Sequence, residues 1–162
     1  MALVDFFLKI EGIDGESQDS KHKGEIDIQS WSWGENQGAS HAAGGGGGVG
    51  KVQMHDLSIV KHIDKSSPKL MLACANGEHL KKAVLRARKA GKDQQEYYKI
   101  TLTDLLVSSF QTGGHGDGNT LPQDQVSLNF AKIEVAYKEQ KPDGTLGGEV
   151  KAGWDAKANK AV

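Results

Sequence analysis

Apolar and polar positions alternate along most of the chain at a period of two residues, the period of a β-strand with one face buried. Val4, Phe6, Leu8 and Ile10 share one face, with Asp5 and Lys9 opposite. Ile26 and Ile28 alternate with Glu25, Asp27 and Gln29, after which the apolar set changes parity and Trp31 and Trp33 take over. The same change recurs where Val126, Leu128 and Phe130 hand over to Ile133, Val135 and Tyr137, and in weaker form from Met54 to Leu57 and Ile59. Glu96 to Phe110 continues the pattern, with Tyr98, Ile100, Leu102, Leu106 and Phe110 on one side. A parity slip turns every following side chain to the other face. Three slips predict either bulges and strands that bend across a corner between two sheets, or strands buried on both faces, one by the core and one by a second copy. The pattern leaves these two explanations open.

One helix is predicted from Ser66-Ser67-Pro68, a serine cap followed by proline at the first helical position, and Gly77 closes it. Leu70, Met71 and Cys74 then share a face. Lys141-Pro142-Asp143-Gly144 predicts a turn, proline presetting the first corner and glycine supplying the positive φ. The segment from Leu80 to Arg88 is ambiguous: its residues favour helix by intrinsic propensity, while Ala83, Leu85 and Ala87 alternate like a strand. On pattern alone it reads as helix. The whole predicts a mainly β fold, a two-sheet antiparallel β-barrel or sandwich with one short flanking α-helix, as a single domain over residues 1–162.

Composition sharpens this picture at two points. Glycine accounts for 21 of the 162 residues and is clustered: Gly44 to Gly48 run unbroken between Gly38 and Gly50, and a second cluster spans Gly113 to Gly118. Such stretches exceed ordinary connections and predict working or floppy loops; without side chains they suit close docking against a neighbouring molecule. The formal charge is −1, so nothing attracts polyanions at long range and a nucleic-acid or anionic-membrane partner is disfavoured. A single cysteine, Cys74, excludes an internal disulfide. The start, Met1 to Lys9, has no basic leader and its apolar run is broken by charges, so it reads as neither a signal peptide nor a membrane-inserted span. The expected location is the cytoplasm, with any export left to another machine.

Candidate chemistry is sparse. Gly45-Gly46-Gly47-Gly48-Val49-Gly50-Lys51 matches the spacing of a phosphate-binding loop, but Val52 replaces the magnesium-binding hydroxyl and a strand, not a helix, is predicted after it. The six histidines, His22, His41, His55, His62, His79 and His115, form no closely spaced pair, and His115 with Asp117 falls short of the three or four ligands of a zinc site. Asp56 and Asp64 are too far apart in sequence for paired acid–base work. Cys74 sits on the apolar side of the predicted helix, as an inert small hydrophobe does. Trp31 and Trp33 are expected to fill core, leaving Ser30, Ser32 and Gly34 on a small polar face. No catalytic residue, metal or cofactor is expected.

A set of segments in fixed order changes the reading. Ser30-Trp31-Ser32-Trp33-Gly34, the glycine run ending Gly50-Lys51-Val52, and Ile63-Asp64-Lys65-Ser66-Ser67-Pro68-Lys69-Leu70-Met71 come first. Arg88-Lys89-Ala90-Gly91, Leu106-Val107-Ser108-Ser109, Val126 to Ala131 and Gly153-Trp154 follow. Together they resemble the haemolysin-coregulated protein (Hcp) family of bacterial type VI secretion over nearly the whole chain. The resemblance implies a two-sheet β-barrel with a flanking helix from Pro68 to Asn76 and a strand, not a helix, over Lys82 to Arg88. It implies a structural tube subunit, not an enzyme. Six copies would form a ring with an open lumen, and rings would stack into a tube driven out by a contractile sheath with a spike protein at its tip. Small effector proteins would ride in the lumen, faced by Ser32 and its neighbour Ser30. The arm from Gln37 to Lys51, with Gly44, Gly45, Gly46, Gly47, Gly48, Gly50 and Lys51, would meet the next ring. The product would leave the cell without a cleaved signal peptide, and with the sequence stopping soon after Trp154 no toxin extension is expected. The competing reading is a monomeric ligand-binding β-barrel module built on the Trp31–Trp33 strand and the glycine loops.

Overall fold

The computed structural model describes residues 4–38, 50–89 and 94–162. Within them the chain forms β1 (Val4–Ile10), β2 (Ile26–Ile28), β3 (Ser30–Ser32), β4 (Glu35–Gln37), β5 (Val52–Met54), β6 (Leu57–His62), α1 (Ser66–Asn76), β7 (Leu80–Lys89), β8 (Glu96–Gly113), β9 (Gln123–Gln140), β10 (Leu146–Asp155) and β11 (Lys160–Ala161). All pairings are antiparallel. The main sheet runs β11-β10-β9-β8-β7-β1-β2, with β6 pairing both β9 and β3, and β4-β5 forms a separate ribbon. The mainly β reading with one helix therefore stands. The ladder is folded over on itself without closing into a barrel: β2 pairs with β1, β3 pairs with β6, and at Gln29 between them the N–H donates to Val60 O at 2.8 Å.

The parity slips have a physical cause within one chain. β8 and β9 each run 18 residues and serve both halves of the fold. Tyr98, Ile100 and Leu102 of β8 lie opposite Tyr137, Val135 and Ile133; beyond the corner Leu105 and Val107 lie opposite Phe130 and Leu128. The switch occurs at Asp104, which has φ +53°, and a second irregularity falls between Val107 and Ser109. The expected inward position of Leu106 is thereby corrected, because the positive φ at Asp104 reverses the alternation and Leu105 and Val107 enter the core instead. His55 lies between β5, which ends at Met54, and β6, which runs from Leu57 to His62.

Leu80–Lys89 is a strand, so the helix read from its pattern is overturned and the strand implied by the family resemblance holds. The segment lies between β1 and β8 and is buried on both faces, Ala83, Leu85 and Ala87 on one and Val84 and Arg88 on the other, which erases the alternation that marks a strand. α1 also differs in detail. Its N-cap is Lys65, with no side-chain cap bond. Asp64 takes over that role from outside: its Oδ1 accepts from Ser66 N–H at 2.8 Å, while Ser67 Oγ accepts from Asp64 N–H at 3.0 Å. Gly77 closes the helix as expected, in the left-handed conformation at φ +66°, its N–H donating to Ala73 O. Leu70 and Ala73 face inward, Cys74 is half-buried against the core, and Met71 turns outward at 51% exposure, against the face predicted for it.

The joint between α1, β6 and β9 is held by charge. Lys61 and Asp124 are direct cross-strand partners, both fully buried, with Nζ 2.8 Å from Oδ2. Lys61 Nζ also lies 3.0 Å from Asp64 Oδ1 and donates to Ser67 Oγ and His62 O, each at 3.0 Å. Burial pushes the Asp124 carboxyl up, but the hydrogen bonds from Lys61, Ser67 and Thr112 outweigh it, and the net direction is down. On the outer side of β1, Arg88 donates to both oxygens of Asp19, at 2.9 and 2.6 Å, and to Asp5 at 3.1 Å. That guanidinium holds Asp19 at about 2, below its ordinary 3.8.

Two measurements follow from these ion pairs. Lys61→Met leaves Asp124 buried without its cation, so urea unfolding should show a loss of about 3–5 kcal/mol, while Lys61→Met with Asp124→Leu should recover most of it. For Asp19 the folded state lowers the carboxyl, so its contribution is complete above pH 3.8 and fades as pH falls towards 2. Wild type should lose about 1–2 kcal/mol over that window that Asp19→Asn does not lose, and equal acid unfolding of the two would show the pair to be inert.

Candidate functional site

The short strand Ser30–Ser32 sets two faces apart. Trp31 packs inward, its ring stacked on Tyr98 at 5.8 Å between centroids and edge-on to Phe6 at 6.0 Å. Trp33 packs against Phe130 at 6.4 Å, and its Nε1–H donates to His55 O at 2.9 Å. Both indoles lie against the hydrophobic core, so they form no open aromatic platform. Ser30 and Ser32 are exposed on the other face.

The register extends that face well beyond the two serines. Ser32 is paired with Ser58, Ser58 with Ser127, and Ser127 with Ser109, a rung of four serines across β3, β6, β9 and β8. The neighbouring rung reads Ser30, Val60, Gln125 and Gln111. Neither rung carries a charge. Sequence reasoning stopped at β3, although Ser58 and Ser127 alternate with Leu57, Ile59, Val126 and Leu128, which are buried, and this alternation was the available signal.

A second surface is apolar. On β9 and β10 the paired positions Ile133–Trp154, Val135–Ala152 and Tyr137–Val150 all point to the core side of the sheet. Only the first pair is well covered: Ile133 is buried, while Tyr137 is 46% and Val150 72% exposed. Between this strip and the β4-β5 ribbon lies an open groove of about 870 Å³, lined by Trp33, Val52, Met54, Val135, Ala152 and Trp154 among others. Trp154 Nε1 is buried and meets no acceptor among the described residues.

The remaining candidates are placed singly. Gly44, Gly45, Gly46, Gly47 and Gly48 lie outside the described residues, as does His41. Gly50 and Lys51 lead directly into β5, so a strand follows the lysine where a phosphate-binding loop needs a helix N-terminus. His55 is bonded to Asn36, His62 to Gln29 and His79 to Asp104, while Asp56 accepts from Ser108 and Asn129. Among the described residues no group of three or more histidine, cysteine or acidic side chains could hold a metal ion. Nor is any described helix long and apolar enough to cross a membrane.

Comparison with known proteins fits this geometry. The family described as "Type VI secretion system effector, Hcp" matches residues 7–137. Protein hcp1 of Pseudomonas aeruginosa is 51% identical over 158 residues, covering 96% of this chain and 97% of that protein. The crystal structure of Hcp1 from Salmonella typhimurium superposes with a TM-score of 0.85 at 41% identity, covering 99% of this chain and all of that one. A structure described as a type six secretion system protein gives a TM-score of 0.92 at 29% identity over 98% and 99% of the two chains. With a family match across most of its length, half its residues shared with a full-length relative and the same fold, the chain belongs to the Hcp family of type VI secretion proteins.

Proposed function

We propose that this protein is a tube subunit of type VI secretion, a structural carrier and not an enzyme, which closes into six-membered rings that stack into a hollow tube. The observation that carries the reading is the core side of β9-β10 left open beside Val150 and Tyr137, a face a single copy does not cover. An exposed apolar strip continuous with the core is the surface of an element that expects a sibling. A ring closes when two unlike patches meet head to tail and the rotation completes a circle. A formal charge of −1 per copy offers little repulsion between copies, and salt screens what there is.

In this arrangement the uncharged rung of Ser32, Ser58, Ser127 and Ser109, with Ser30 beside it, lines the lumen and faces small effector proteins. Gly50 and Lys51, with Gly44 to Gly48, belong to the arm that meets the next ring. Sheath and spike proteins are the remaining partners. The assembled tube leaves the cytoplasm for the outside or a target cell through the secretion machine.

Native mass spectrometry of the wild type should give six times the monomer mass, and a strict monomer at high concentration would favour an isolated binding module instead. Deleting Gly44–Gly48 should preserve that ring mass while reducing tube length in electron micrographs; rings that fall apart would assign the arm to the seam between subunits. Ser32→Gln should lower effector recovery from cells by at least several-fold with an unchanged melting temperature, whereas a large drop in melting temperature would mean the side chain is interior.

A further inference from the structure

Between β1 and β2 the chain does not turn directly. Residues 13–25 form a strap across the outer side of β1, shaped by Gly15 N–H to Gly24 O at 2.9 Å, Gly24 N–H to Ser17 O at 2.9 Å and Ser17 N–H to Glu25 O at 3.0 Å. The fit is close: a Cβ on Gly15 would come within 2.6 Å of Glu25 O, so only glycine passes there. Among the side chains that tie the strap to the body of the protein, Glu16, Asp19 and His22 stand out. Glu16 Oε2 accepts from Lys65 N–H at 2.8 Å, Asp19 pairs with Arg88, and His22 is buried against β1.

The surroundings of His22 are unusual for a structural histidine. Its ring stacks on Phe7 at 4.3 Å with the planes 10° apart. Nδ1 lies 2.9 Å from Glu25 Oε2, and Nε2 lies 2.7 Å from Glu96 Oε1, the first residue of β8. The second contact is an ion-pair approach out of line with the ring N–H, and Glu96, at 42% exposure, has room to align. A neutral imidazole has one N–H and one lone pair, whereas the protonated ring has two N–H donors. With a carboxylate oxygen at each nitrogen, the neutral ring must always turn a lone pair towards one of them. A cation stacked on Phe7 also gains from the ring face.

We propose that His22 is a proton-dependent clamp, fastening the strap to β1 and to the start of β8 when its ring is protonated and releasing Glu96 when it is not. The charged groups around it are Asp19 and Glu25 from the strap, Asp5 on β1, Arg86 and Arg88 on β7, and Glu96 on β8. Of these residue types histidine alone ordinarily changes charge between about pH 5 and 8. Arg86 stands 3.7 Å from both Glu25 and Glu96, close enough to hold the two carboxylates near the ring but not to replace its hydrogen bonds. The fastening is therefore made by the protonated ring and lost when the ring gives up its proton. The Asp19–Arg88 and Glu16–Lys65 contacts stay, so the strap slackens without leaving.

Hydrogen exchange of the full-length protein tests this, with rates corrected for the intrinsic pH dependence of exchange. Strap amides between residues 16 and 25 should lose protection at least tenfold from pH 5.5 to 8, while the β8–β9 ladder between Leu102 and Phe130 stays unchanged. His22→Gln should exchange at the fast strap rate at both pH values. Equal protection of the wild-type strap at the two pH values, or the same pH dependence in His22→Gln, overturns the proposal. Imidazole nitrogen shifts of His22 in the wild type give a reading that does not depend on the variant folding. Two ring protons at pH 5.5 and one at pH 8 support the clamp; any other pattern refutes it.

Discussion

The fold is organised around one buried charge. Lys61 sits at the point where β6, β9 and the entry to α1 meet, and its ammonium is shared among Asp124, Asp64, Ser67 and His62 O. Removing such a group from water is costly, and the cost is met only if every donor and acceptor finds a partner in the right place. That requirement fixes relative position in a way apolar packing does not. Leu70 or Ala73 can slide a fraction of an ångström over the sheet; a carboxylate that must lie 2.8 Å from an ammonium cannot. The register of β6 on β9 and the placement of the helix are thus decided together.

From that joint the two long strands carry the sheet round its corner. Asp104, in a backbone conformation unusual for a residue with a side chain, is steadied by His79 and Lys157, both 3.1 Å away and both largely exposed. These pairs draw the Asp104 carboxyl below its ordinary value, the His79 hydrogen bond first. The core side of β9-β10 is left open beside Tyr137 and Val150, while the serine rung lies on the face opposite the buried Leu57, Ile59, Val126 and Leu128. One molecule therefore presents an apolar face and an uncharged hydroxyl face on surfaces set by the same two strands.

Most of this architecture was written in residue alternation. The strands around Leu8, Ile28, Leu128 and Ile133, the turn at Pro142-Asp143-Gly144 and the left-handed stop at Gly77 all follow from local patterns, and Gly144 N–H does close its turn on Lys141 O at 2.9 Å. The failures came where neighbours override local preference. Leu80–Lys89 is flanked on both sides and covered on both faces, so its pattern lost the signature of a strand. The helix start depends on Asp64 reaching forward, and Lys61–Asp124 depends on residues 63 positions apart; neither distance is visible in a single sequence. The serine face was only half legible, because recognising Ser58, Ser109 and Ser127 as one row with Ser32 requires the register of four strands.

That row has a consequence for anything that slides along it. In the proposed tube, the row would offer a passing molecule mainly short hydroxyls, with amides in the neighbouring rung. Trading a hydrogen bond to water for one to a serine changes the free energy by only about 0.5–1.5 kcal/mol. In the proposed tube such a lining would neither grip a traveller nor turn it away, leaving friction to be set by fit.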